Sequence, residues 1–197
     1  MKLRRQIADV LAQRKHNTIN DPGLVQAAVL LPLFEKGREP HLLFTKRTQT
    51  VATHKGQISF PGGAKDEEDV SLEFTALRET FEEVGVRFQD VEVLGRLDDI
   101  TTHISNFVVS PFVAAIPYPY EFNICKAETE YLLEVPVPAL LDRSCFTEDA
   151  IVRNGLVEPV YFYQYQGNLI WGATARILTQ FLDSVFVRNA ERPPAII

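Results

Sequence analysis

The spacing of apolar residues changes several times along the chain, and each change marks an element. Leu3, Ile7, Val10 and Leu11 recur at helical spacing, and Asp21-Pro22-Gly23 is the first strong turn. Residues 24–34 and 41–46 read as strands, joined into a hairpin by the turn-rich Glu35-Lys36-Gly37-Arg38-Glu39-Pro40. Residues 57–60 alternate polar and apolar, then stop at Pro61-Gly62-Gly63, a break that ends a strand and opens a loop. From 71 to 84 the period lengthens: Phe74, Leu77, Phe81 and Val84 fall on one helical face, the opposite face is acidic, and Gly85 supplies the stop. Further strands are predicted at 91–97, 107–116, 146–152 and 157–164, with a closing helix at 174–187. Strands interleaved with two substantial helices and short loops predict an α/β fold, with helices packed on the faces of a mixed sheet.

Composition narrows the function classes. With 197 residues, 46% hydrophobic and 23% charged, the chain fits one globular domain over 1–197, in which 1–22 form an amphipathic helix and a turn. A net charge of -6 removes the electrostatic basis for binding nucleic acid or an anionic membrane, so a polyanionic substrate needs a bridging cation. The longest apolar run, 27–34, is far short of the roughly 20 residues a membrane-spanning helix requires. Cys125 and Cys145 have no C-x-x-C pairing and no nearby histidine, which argues against zinc or a disulfide framework and fits the reducing cytoplasm. Arg4 and Arg5 leave a mitochondrial address open, and the sequence also leaves open a homodimer.

The candidate chemistry lies in Arg78-Glu79-Thr80-Phe81-Glu82-Glu83-Val84-Gly85-Val86. At helical geometry Glu79, Glu82 and Glu83 occupy a narrow arc over one turn, so three carboxylates are expected to converge. Such charges repel, and Arg78 offsets only part of the repulsion through its contact with Glu82. A hard divalent cation offsets the rest: Mg²⁺, with Mn²⁺ as a substitute, takes one or two carboxylates plus water and phosphate oxygens. Upstream, Gly62 and Gly63 lack the Cβ that would keep main-chain amides away from an anion.

Gly63, Arg78, Glu79, Glu82, Glu83, Gly85 and Val86 together resemble the Nudix box. The resemblance implies a Nudix-type α/β/α sandwich and metal-dependent hydrolysis of a phosphoanhydride. Two positions depart from the pattern. Asp69 stands where the family has its first glutamate, with one residue too many between it and Arg78, and Thr80 replaces a hydrophobic residue.

A second block, Leu42-Leu43-Phe44-Thr45-Lys46-Arg47 followed by 54–63, is similar to the added signature of the coenzyme A pyrophosphatase branch of that family. Residues 171–178 resemble the branch's C-terminal segment. By that resemblance the substrate is coenzyme A or an acyl-coenzyme A, cleaved to 3′,5′-ADP and 4′-phosphopantetheine. Glu79 and Glu83 would hold the metal with Glu82 assisting, and Arg78 would orient these carboxylates. Arg47, His54, Lys55 and Gln57, with Gly62 and Gly63, are the expected contacts to substrate phosphates. Glu128, on a loop before Val135-Pro136, is the candidate general base. Two other readings stand beside this one: a pyrophosphatase for ADP-ribose or another nucleoside diphosphate derivative, and a non-catalytic nucleotide-binding domain of the same fold.

Overall fold

Strand β1 (Val25–Lys36) is almost wholly apolar because both of its faces are covered. Ala27, Leu31 and Leu33 enter one core cluster, while Ala28 and Leu30 enter another on the opposite face. The computed structural model describes residues 2–50, 54–102, 106–153 and 155–186; the predicted end of the closing helix at 187 lies outside them. Within this range β1 is parallel to β7 (Phe107–Ala115) and antiparallel to β2 (Glu39–Arg47), so the sheet is mixed.

Helix α2 (Leu72–Val84) covers one face: Ala76 packs with Ala28, Leu30, Phe112 and Ala114, and Val84 with Phe34, Leu43, Val86 and Ile116. On the other face lie α1 (Lys2–Ala12), through Ile7 and Leu11, and α4 (Gly172–Val185), through Ala175, Leu178 and Phe181. The result is the helix–sheet–helix layering expected of the α/β class. β5 (Glu92–Arg96) and β6 (Ile100–Thr101) both pair with β7. A separate three-stranded sheet of β9 (Phe146–Arg153), β10 (Leu156–Tyr165) and β11 (Asn168–Trp171) packs on α4, where the Tyr163 and Thr179 hydroxyls meet at 2.8 Å. Among the described residues no helix is long and apolar enough to cross a membrane.

The feature that builds the site is a divergence of β1 and β2. They pair only from Leu33 and Leu42 out to Lys36 and Glu39. Beyond that, β3 (Ile58–Ser59) takes the edge of β2 and β4 (Gly62–Ala64) takes the edge of β1. Gly62 and Gly63, expected to open a loop, therefore lie in a short strand, opposite Val29 and Ala28.

Two other expectations need correction. The run Thr129–Pro136 is strand β8, paired along β2 and followed by the short helix α3 (Val137–Leu141), although the apolar run Tyr131-Leu132-Leu133 hides the strand's alternation. The α2 face assigned from Phe74, Leu77, Phe81 and Val84 is also displaced. Of these only Val84 is buried, and Phe81 is 48% exposed, lying with Phe74 against Phe88.

Candidate active site

Helix α2 starts where Ser71 Oγ accepts the Phe74 amide at 3.0 Å and stops at Gly85, whose φ of 77° is open mainly to glycine. Its buried stripe runs Ala76, Thr80, Glu83, at helical spacing. Thr80 tolerates this dry position because its hydroxyl donates to the Ala76 carbonyl at 2.6 Å, so threonine in place of a hydrophobic residue leaves no polar group unpaired. Glu83 has no comparable local partner, yet it is only 4% exposed. The helix thus carries a carboxylate into the sheet at the point where β1 and β2 part.

Arg78 organises the outer side. Its Nε and Nη2 donate to Asp69 Oδ1 and Oδ2 at 2.9 and 3.0 Å, a bidentate pair. Thr75 Oγ1 and the Asp66 amide also donate to Asp69, which fixes the carboxylate from three directions and holds its pKa well below the usual carboxylate range, the Arg78 bonds contributing most. The extra residue before Arg78 is absorbed outside this network: Val70 is 86% exposed in the bend ahead of Ser71. Arg78 Nη1 then lies 2.8 Å from Glu79 Oε1 and 3.1 Å from Glu82 Oε2. A single nitrogen offsets the repulsion between those two glutamates.

The inner side is less complete. Glu83 Oε1 lies 3.7 Å from Arg47 Nη1, longer than a hydrogen bond, and Glu83 Oε2 and Arg47 Nε are both buried without a protein partner. Burial pushes the Glu83 carboxyl up to about 8; Glu79 and Glu128 add to this, while Arg47 and the Gly62 main-chain amide pull the other way. Burial also raises Glu79, against the pull of Arg78.

Gly63 makes room for Glu79. A Cβ built on Gly63 would sit 2.5 Å from the Glu79 Cδ and Oε2. Gly63→Ala should therefore leave the fold intact, because the end of a glutamate side chain can swing aside, but should misplace the carboxylate by about an ångström and lower kcat/KM about 10²-fold. Steady-state kinetics with a melting curve on the same variant check this prediction.

The remaining predicted residues gather at the same end of the sheet, with one exception. The Glu128 carboxylate is close enough to act on both Glu79 and Glu83. Its backbone is fixed, since Thr48 N donates to Glu128 O at 2.8 Å, and the preceding segment is tied to α2 by Cys125 N donating to Glu83 O at 2.9 Å. Glu128 thus ends an anchored turn directly before β8. His54, for which the sequence offers no orienting partner, donates from Nδ1 to Gln57 Oε1 at 3.0 Å, and Gln57 O accepts from Arg47 N. Lys55 is exposed on the same turn. Glu82 is the exception to convergence: it is largely exposed and turned to Arg78, while Glu79 and Glu83 face inward.

Among the described residues no three Asp, Glu, His or Cys side chains are grouped so as to hold a metal ion between them. The site nevertheless fits a hard cation. Glu83 Oε2 is a buried oxygen lacking a partner, and Glu79 lies in a cradle that one methyl group would fill. Mg²⁺ needs only one or two carboxylates when water and phosphate complete its sphere.

Comparison with known proteins agrees with this geometry. The NUDIX domain family profile matches residues 24–130. An uncharacterized Nudix hydrolase NudL from Photorhabdus laumondii is 41% identical over 161 residues, covering 82% of this chain and 85% of that protein. A protein of the same name from an Enterobacter species is 37% identical over 155 residues, covering 79% and 80%. Among solved structures, a MutT/nudix family protein from Enterococcus faecalis superposes with a TM-score of 0.55 at 14% identity, over 88% of this chain and 66% of that one. A C. elegans Ap4A hydrolase gives a TM-score of 0.50 at 16% identity, over 60% and 84%. At such identities the two structures speak for the fold alone, whereas the domain match and the two sequence relatives carry the assignment: the chain belongs to the Nudix hydrolases, enzymes that act on phosphorus-containing anhydrides.

Proposed function

We propose that this hydrolase cleaves the diphosphate of coenzyme A or an acyl-coenzyme A to 3′,5′-ADP and (acyl-)4′-phosphopantetheine, with Mg²⁺ held by Glu79 and Glu83 and Glu82 at its margin. The observation that supports this reading is that the sequence block resembling the coenzyme A branch is built into the acidic site. Arg47 closes that block's first half and faces Glu83, and Gly63 closes its second half beneath Glu79.

A bound divalent cation supplies Lewis acidity to the diphosphate and to an attacking water. The protein does the rest. Glu128 accepts the proton of that water at its carboxylate, from an anchored turn beside Glu79 and Glu83. Arg47, Lys55 and the His54–Gln57 pair present donors to phosphate oxygens. Arg78, held by Asp69, keeps Glu79 and Glu82 in place without touching substrate.

A panel of coenzyme A, acetyl-coenzyme A, ADP-ribose and NADH, each with and without Mg²⁺ and repeated with Mn²⁺, tests the reading. The expected product is 4′-phosphopantetheine or its acyl form, released only with metal. Turnover of ADP-ribose with no such release rejects the substrate. Binding of these nucleotides with no turnover of any rejects catalysis and favours a regulatory role.

A further inference from the structure

Among the described residues two arginines pair with the carboxylates of α2, and they do so differently. Arg78 is committed: three nitrogens are engaged, two of them bidentate to the buried Asp69 carboxylate. Arg47 is not. Its Nη1 stands at 3.7 Å from Glu83, its Nε is buried with no protein partner, and the facing Glu83 Oε2 is equally alone. The pair is close enough to cancel charge and too loose to complete a bidentate contact. What each group has left over matches what the reaction brings: a carboxylate oxygen for a hard cation, and a guanidinium N–H for a phosphate oxygen.

Resting on the metal reading above, we propose that Arg47 is an exchangeable counter-ion of Glu83, replaced there by the incoming divalent cation and thereby released to bind the substrate diphosphate. Without metal, Arg47 faces Glu83 directly, and the charges of Glu79 and Glu128 act on that same Glu83 carboxyl. A dication among those carboxylates removes the attraction that holds Arg47 and adds a repulsion. The neighbouring turn allows the movement to end productively, since Arg47 N bonds to Gln57 O and so keeps the chain beside the His54–Gln57 pair. Metal and diphosphate then bind cooperatively, beyond their direct contact, because one vacates the partner that the other needs. Arg47 is in this role both a positioning residue for Glu83 and a substrate contact.

The exchange predicts signs that a merely structural arginine would not give. In metal-free protein held at about pH 8.5, where the Glu83 carboxyl is ionised, and titrated with Mn²⁺ followed by the EPR signal of the free ion, Arg47→Met should bind Mn²⁺ more tightly than wild type, by roughly 5- to 150-fold, the range typical of coupled sites. A structural role predicts weaker binding, because the site would loosen. Independently of whether that variant folds, metal-free Glu83→Gln should bind methylenediphosphonate more tightly than metal-free wild type, because its Arg47 is already released. Unchanged or weaker Mn²⁺ binding in folded Arg47→Met, or unchanged diphosphonate binding in Glu83→Gln, overturns the exchange while leaving the metal site standing. No Mn²⁺ binding by wild type overturns the metal site itself, and the exchange with it.

Discussion

Glu83→Gln should make the metal-free protein more stable while abolishing Mg²⁺-dependent hydrolysis. The carboxyl is buried with one oxygen unpartnered, and its pKa stands near 8 against an ordinary 4.5, with burial as the leading cause. A raised folded pKa on an acid means that the folded state holds a proton the unfolded chain releases, so stability falls as pH rises from about 4.5 to about 8 and then levels. Each tenfold difference in proton affinity between the two states is worth about 1.36 kcal/mol, so the ionised glutamate costs on the order of several kcal/mol. Glutamine carries no such penalty. The variant's advantage in Tm should therefore be small near pH 5, widen to about pH 8, and stay constant above it.

Mg²⁺ should reverse the comparison. It stabilises whatever binds it by RT ln(1 + [L]/Kd), and wild type alone keeps the buried ligand. Differential scanning fluorimetry across pH, with and without Mg²⁺, reads both effects. Equal metal-induced shifts in wild type and variant would remove Glu83 from the metal site. Helical spacing alone does not reveal that position 83 is among the driest on the helix.

That contrast separates the parts of the site that are legible in the sequence from those that are not. Helix α2 is readable from its ends, because Ser71 and Gly85 do their capping chemistry locally. Its buried face is not, because hydrophobic periodicity assumes that buried positions are apolar. Here the inward stripe is Ala76, Thr80 and Glu83, and two phenylalanines point outward to Phe88. A carboxylate in a dry position displaces the pattern that locates the core. β8 escapes notice for another reason: it lies along β2, and the apolar run Tyr131-Leu132-Leu133 blurs an alternation that Glu130 and Glu134 otherwise keep. Without the strand, Glu128 reads as a free loop residue, when it is fixed by main-chain bonds to Cys125 and Thr48. The existence of β1, β7, β9 and β10, by contrast, is legible from their apolar, β-branched and aromatic runs, whereas their order in the sheets is set by tertiary pairing. Asp69 is ambiguous by one position because spacing counts residues, while the structure counts only those in the helix; Val70 loops out and Asp69 still reaches Arg78.

Arg78→Met should be the most destabilising single change in the box. The Asp69 side chain is 1% exposed and bonds to Arg78 through both oxygens. Removing one partner of a buried pair leaves the other charge uncompensated, at a cost of about 3–5 kcal/mol, or a Tm drop of about 10 °C or more for a chain of this size. Glu79 and Glu82 lose the nitrogen they share, so residual folded protein should also lose most activity. The pH dependence identifies the cause. In wild type the depressed pKa of Asp69 gives stability that is present above the ordinary aspartate range and lost as pH falls through the folded value. In Arg78→Met the same carboxyl is buried without its cation and takes a proton readily, so the deficit against wild type should shrink as pH falls through about 4. Adding Asp69→Asn to Arg78→Met should recover much of the lost Tm at neutral pH without restoring activity, because the stranded charge is gone while the glutamates remain unheld. If the double variant is as unstable as the sum of the two single ones, Arg78 acts through Glu79 and Glu82 rather than through Asp69, and the buried pair is not what holds the box together.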